Sequence, residues 1–174
     1  MIKKSLEKIN DLSTSHWYWL AFIVGGLVLL LVALFYQFVM EELPCVLCIQ
    51  IRLLISLFVL IGFLGLFSRQ IKSLNIAAHI SVMLTAIVFT ERSYQLLGTE
   101  RGFVFGDCGF SLGFPSWFAI EDWLPWLYRV ETSCGYTPQI IFGITMADAL
   151  MLLSVGILLL SVAVVVSRLI HWKK

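Results

Sequence analysis

Cys45 and Cys48 are separated by two residues in the run Pro44-Cys45-Val46-Leu47-Cys48, and Arg52 follows four residues after the second thiol. That spacing suits thiol–disulfide exchange, in which a thiolate attacks a disulfide sulfur through a mixed disulfide. Pro44 fits the first position of a helix, so both cysteines are expected in its first turn, where unpaired N–H groups and the positive end of the helix dipole favour an anion. Arg52 is i+4 from Cys48 and shares its face, so it can stabilise the thiolate or a reduced oxyanion beside it. At about 1.5 Å per residue, Arg52 lies roughly 10 Å along the helix from Cys45.

Cys108 and Cys134 lie 26 positions apart. Cys-x-x-Cys also serves zinc, but a four-thiolate site usually takes two such pairs, so two disulfides fit the spacing better. Four cysteines allow three pairings. Locality favours Cys45 with Cys48 and Cys108 with Cys134, and the sequence alone does not choose. Read by itself, the second pair serves equally well as a brace closing a loop.

The elements that position these thiols are membrane helices. Of the 174 residues, 60% are hydrophobic, and the mean hydropathy is +0.94, far outside the range of roughly 45–50% apolar residues in soluble domains. A spanning helix needs about 20 mainly apolar residues. The apolar runs predict four spans at about 17–40, 45–67, 74–90 and 140–166, hence an all-α, four-helix membrane bundle forming one domain. Arg52 falls inside the second span, which makes it a functional candidate, with snorkelling to the headgroups as its alternative. The first run is longer than a signal h-region of about 7–15 residues and is expected to stay as an anchor. A net charge of +1 with scattered lysines gives no nucleic-acid face.

Basic residues set the orientation. Lys3, Lys4, Lys8, Arg69, Lys72, Arg168, Lys173 and Lys174 cluster at the termini and between spans two and three, a side expected to be cytoplasmic. The other side, with loops at about 41–44 and 91–139, carries eight acidic residues against Arg92, Arg101 and Arg129. All four cysteines then face outward, in a bacterium into the oxidising periplasm. Between Cys108 and Cys134 the stretch Phe114–Val130 holds Trp117, Phe118, Trp123, Trp126 and Tyr128. It is too charged and too broken by Pro125 to span, and is read as a short interfacial helix that holds the loop cysteines near Cys45 and Cys48. Asp148 is read as a solvated or hydrogen-bonded helix end, His79 as a packed or interfacial histidine, and Gly25-Gly26 as a close-packing site.

Taken together, these features resemble the DsbB family, quinone-dependent thiol oxidases of bacterial inner membranes. The resemblance rests on four spans, "PCVLC" opening the second with Arg52 four residues on, and the Cys108/Cys134 pair in the second outer loop. It also rests on "ERSYQL" at Glu91–Leu96, "FPSWF" and "DWLPW" in the loop, and "GITMADAL" at Gly143–Leu150. It implies that Cys45, Cys48, Cys108 and Cys134 form the redox disulfides Cys45–Cys48 and Cys108–Cys134. A periplasmic thioredoxin-fold oxidase of the DsbA type would attack Cys108. Cys134 would pass the electrons to Cys45, and Cys48 with Arg52 would meet a quinone, ubiquinone or menaquinone, from the membrane pool.

Two departures stand out. Family members commonly carry a polar residue directly before the arginine, where this chain has Ile51, and some place a histidine after span three, where it reads Gly98-Thr99-Glu100-Arg101. The second wall of the quinone site is therefore left open, with Arg92 a candidate against a snorkelling anchor. A specialised paralogue serving one client is a second reading. A vitamin K epoxide reductase-like oxidase is disfavoured because its membrane Cys-x-x-Cys lies at a late span. A structural four-span protein with bracing disulfides gives no reason for Arg52, and one Arg with one Asp makes a poor transport path.

Overall fold

The computed structural model describes residues 15–104, 109, 112–114, 119–141 and 143–172. In chain order the elements are α1 (His16–Phe38), α2 (Val46–Ser68), α3 (Lys72–Glu100), α4 (Ile120–Trp123), α5 (Pro125–Tyr128), β1 (Gln139–Ile141), β2 (Ile144–Thr145) and α6 (Met146–Trp172). The four long helices are each long and apolar enough to cross a membrane. Their outward faces are apolar, as with Val24, Leu27, Leu31 and Phe35 on α1, which suits contact with lipid. Several hydroxyls within the spans bond back to the preceding turn, Ser81 to the Ala77 carbonyl, Thr85 to Ser81 and Thr90 to Ala86, which satisfies them without water.

Two helix ends depart from the apolar runs. The third run stops at Thr90, yet α3 continues to Glu100. Hydropathy marks where a chain leaves the bilayer, not where a helix ends. The added turns bury Ser93 and Leu96, and side-chain bonds from Arg92 to Gln95 and from Gln95 to Glu91 run along their surface. The fourth run begins at Ile140, but α6 starts at Met146, because Gln139–Ile141 and Ile144–Thr145 pair as the antiparallel strands β1 and β2 instead. Gly143 makes that turn at φ 80°, a conformation open to glycine at little cost. Within the stretch read from sequence as a single interfacial helix, residues 120–128 form two single turns, α4 and α5. Leu124 between them sits outside the helical region at φ −133°, ψ 65°, as expected for a residue whose α conformation is disfavoured by the following Pro125.

Helix α1 packs on α2, α2 on α3, and α3 on α6. At one end of the bundle, small residues let α1 and α2 approach closely. Gly26 faces Ile55 and Val59, and Gly65 lies under the indole of the fully buried Trp19, whereas Gly25 has open space beside it. His79 of α3 stacks on Trp19 at 4.8 Å between ring centres, and Arg168 of α6 donates to Asn75 of α3. The other end gathers the close of α1, the start of α2, the close of α3, the start of α6 and the second loop.

Any side chain at position 65 must enter space held by the Trp19 ring, which is packed on all sides. Gly65→Val is therefore expected to lower stability by about 1–3 kcal/mol, despite valine's better helix propensity. Thermal unfolding in detergent checks this, and an unchanged midpoint would refute the close approach of α1 to α2.

Candidate functional site

The backbone ahead of α2 decides where the thiols sit. The Pro44 carbonyl accepts from Glu131 N at 3.0 Å and Thr132 N at 3.3 Å, and Cys45 forms a parallel bridge with Thr132. Residues 44–45 are thereby held extended, so Pro44 lies outside the helix rather than at its first position. Cys45 is the N-cap. The first helical bond runs from Ile49 N to Cys45 O, 3.0 Å, and the Cys45 sulfur accepts from Cys48 N at 3.4 Å. A thiol thus occupies the capping place usually held by a hydroxyl or carboxylate oxygen.

Cys45 and Cys48 bring their sulfurs to 2.8 Å. Cys45 is buried, at 1% exposure, while Cys48 is partly open. The strand-like bridge also carries residues 131–134 past Cys45. Cys134 packs against the same core and lies within side-chain hydrogen-bonding reach of the Cys45 sulfur. Three of the four candidate thiols therefore meet. Cys108, like Trp117 and Phe118, lies outside the described residues.

Arg52 is buried, at 6% exposure, and does not snorkel. Its Nη1 donates to Gln37 Oε1 at 2.5 Å and to the Leu127 carbonyl at 3.2 Å, and its Nη2 to the Ala33 carbonyl at 3.2 Å. The guanidinium is thus held by α1 on one side and the second loop on the other. One turn further along α2, Ser56 donates to the Arg52 carbonyl at 2.9 Å and meets the Tyr128 hydroxyl at 2.7 Å.

Cys48 and Arg52 both open onto a cavity of about 410 Å³, within the size range of small-molecule and cofactor sites. Leu29, Val32 and Tyr36 of α1 form one wall, and Ala149, Leu150 and Leu153 of α6 the other; Tyr136, Pro138 and Ile140 close its loop side, and Glu41 and Glu42 stand at its rim. An apolar slot with a thiol and a guanidinium at its polar part fits a flat, largely apolar ring bearing oxygen acceptors, so the residues present suit a quinone. Facing α1 across the cavity stand α6 and the hairpin. Arg92 does not line the cavity and donates instead to Gln95 at 3.0 Å. Asp148 accepts from Arg101 at 2.6 Å and from Thr145 Oγ1 at 3.1 Å, which makes it a hydrogen-bonded helix end.

Gln37 and Ser56 escaped the sequence reading, and Tyr128 entered it only as one of the loop aromatics. Gln37 carried a signal, being the one amide in an otherwise apolar end of span one, opposite the level of Arg52. Ser56 lies i+4 from Arg52, but serine in a span commonly bonds its own backbone, so its contact with Tyr128 had no mark in the sequence.

A four-span bundle with a Cys-x-x-Cys pair at one helix start, beside a cavity between helices, defines a membrane-embedded thiol–disulfide protein. The chain belongs to the DsbB family: the family model described as disulfide bond formation protein DsbB matches residues 15–164. It is similar to disulfide bond formation protein B 2 of Pseudomonas aeruginosa, 30% identical over 75% of this chain and 78% of that one. It is also similar to disulfide bond formation protein B of Shewanella loihica, 25% identical over 97% and 99% of the two chains, and to that of Yersinia enterocolitica, 27% identical over 97% and 96%. It is thus a multi-pass membrane protein of disulfide bond formation, and its family implies disulfide-generating oxidoreductase activity.

Two outcomes follow from the geometry. Gln37→Leu leaves a buried guanidinium N–H without its acceptor and is expected to cost about 1–3 kcal/mol; in an Arg52→Met background the same change should cost much less. Equal losses in both backgrounds, by unfolding in detergent, would contradict the pairing. In a Cys48→Ser/Cys108→Ser double variant, mild oxidation should join Cys45 to Cys134, read as loss of two hydrogens by mass spectrometry. Two alkylatable thiols persisting after oxidation would show that these residues do not meet.

Proposed function

We propose that the chain is a protein-dithiol:quinone oxidoreductase of the bacterial inner membrane. It reoxidises a periplasmic thioredoxin-fold oxidase of the DsbA type and hands the electron pair to a membrane quinone, ubiquinone or menaquinone, sustaining disulfide formation in exported proteins. The observation that carries this reading is the cavity that exposes both Cys48 and Arg52 between α1 and α6.

In the proposed cycle the redox disulfides are Cys45–Cys48 and Cys108–Cys134. A thiolate of the reduced partner attacks Cys108, forming a mixed disulfide and releasing Cys134 as a thiolate. The partner's second thiol then displaces Cys108, and the partner leaves oxidised. Cys134 attacks Cys45 and releases the Cys48 thiolate; the closeness of Cys134 to Cys45 supports this transfer. Attack by Cys108 on Cys134 restores the loop disulfide and leaves Cys45 and Cys48 reduced. A quinone in the cavity supplies a two-electron, two-proton acceptor, so that partner dithiol and quinone become partner disulfide and quinol. Cys48 and Arg52 would hold it, Arg52 offering hydrogen-bond donors and positive charge where reduction would build negative charge.

The charge distribution supports an orientation with the cysteine end in the periplasm and both termini in the cytoplasm, the chain forming one membrane domain. Among the described residues the cysteine end carries Glu41, Glu42, Glu91, Glu100, Glu121, Asp122 and Glu131 against Arg92, Arg101 and Arg129, and the opposite end Arg69, Lys72 and Arg168. Lys3, Lys4, Lys8, Lys173 and Lys174 lie outside the described residues.

Anaerobic mixing of the detergent-purified protein and quinone with a reduced DsbA-type oxidase, followed by quinone absorbance, tests the reading. Partner-dependent quinone reduction is expected, abolished in Cys48→Ser and in Cys108→Ser. An unchanged quinone spectrum with several such partners and both quinone types would reduce the cysteines to structural braces.

A further inference from the structure

Arg52 and Ser56 lie one helical turn apart on the same face of α2. Two successive residues of the second loop grip them: the Leu127 carbonyl accepts from Arg52 Nη1, and the Tyr128 hydroxyl meets Ser56 Oγ at 2.7 Å. Because Ser56 donates its own proton to the Arg52 carbonyl, the Tyr128 hydroxyl is the donor between the two. A single chain of hydrogen bonds thus runs from Tyr128 through Ser56 to the backbone of the residue whose guanidinium faces the cavity.

Tyr128 is buried, at 4% exposure, in a loop where Trp123, Leu124 and Trp126 are exposed. The single-turn helix α5 has little internal structure to fix it, so its seat on α2 depends on side-chain contacts such as this one. Arg52 presents five N–H donors. Among the described residues, Gln37, Ala33 and Leu127 take three of them, both Nη1 protons included, which sets the plane of the guanidinium. If Leu127 shifts, one Nη1 proton loses its acceptor and the plane of the guanidinium is set by its two α1 contacts alone.

We propose that Tyr128 is a positioning residue for the acceptor cavity: its hydroxyl, through Ser56, seats the Leu127 carbonyl that orients Arg52 toward the bound quinone. The proposal rests on the reading of Arg52 as a quinone-binding group. It makes the second loop a structural part of the acceptor site as well as the carrier of Cys134. Ala33 and Gln37 hold the guanidinium from α1 in any loop position, so the loop acts on its orientation and leaves its burial in place.

The test uses Tyr128→Phe, which keeps the ring and removes the hydroxyl, and Ser56→Ala, which removes the middle of the chain. Dithiothreitol serves as reductant and a short-chain ubiquinone as acceptor. Binding of the same quinone to the oxidised protein is measured independently through quenching of tryptophan fluorescence. Each variant should raise both the quinone KM and its dissociation constant about two- to tenfold, the scale of one hydrogen bond. The KM for dithiothreitol should stay unchanged, with melting temperature close to that of the parent. The double variant should be no worse than either single one, since both break the same chain. Parental quinone affinity in Tyr128→Phe, or losses that simply add in the double variant, would overturn the positioning role. If the parent protein itself neither binds nor reduces the quinone, the oxidoreductase reading fails with it, an outcome distinct from a parent that works and a variant that matches it.

Discussion

A guanidinium buried inside a membrane helix is the constraint around which the cysteine end is organised. Transferring that charge out of water is costly unless its donors are satisfied. Arg52 has three of its five donors taken by acceptors from α1 and from the second loop, so three separate parts of the chain are tied at one point. The Ala33 carbonyl can serve because a carbonyl oxygen has two lone pairs, one of them left over from its helical bond. Removing Arg52 from this position would take away the reason for Gln37 to face α2 and for Leu127 to lie against the bundle.

The thiols depend on a second, backbone-level device. The Pro44 carbonyl turns away from the helix and binds the amides of Glu131 and Thr132, so the chain enters α2 extended and Cys45 falls at the cap. That one bridge sets both the capping role of the Cys45 sulfur and the passage of Cys134 beside it. The two devices are adjacent in sequence, and together they bring the loop thiol against the helix thiols, of which Cys48, with the arginine, opens onto the cavity.

The opposite end of the bundle is held in another way. There Gly26 and Gly65 let α1 lie close against α2, Trp19 and His79 fill the interior by stacking, and Asn75 pairs with Arg168. Dispersion between closely approaching helices suffices where no ligand has to enter. Between α6 and α1, near the cysteines, the helices part instead. The cavity occupies that gap, and the Arg101–Asp148 ion pair together with Glu100, which accepts from Thr137 and Thr145, fastens the hairpin across its outer side.

Much of this was readable in one dimension. Apolar runs of spanning length determine four membrane helices, because a backbone in hydrocarbon must satisfy its own hydrogen bonds. Cys-x-x-Cys with Arg52 one turn further determines a thiol pair and a charge on one helix face, since the helical repeat is set locally. Helix ends were less legible: α3 outruns its apolar segment and α6 starts late, because leaving the bilayer does not oblige a helix to stop and a glycine turn can replace a helical start. The partners of Arg52, the pairing of Ser56 with Tyr128, the approach of Cys134 to Cys45 and the α6 wall of the cavity were decided only by the tertiary structure. Each joins residues at least fifteen positions apart through contacts whose geometry depends on how whole helices are placed, and no local spacing encodes that.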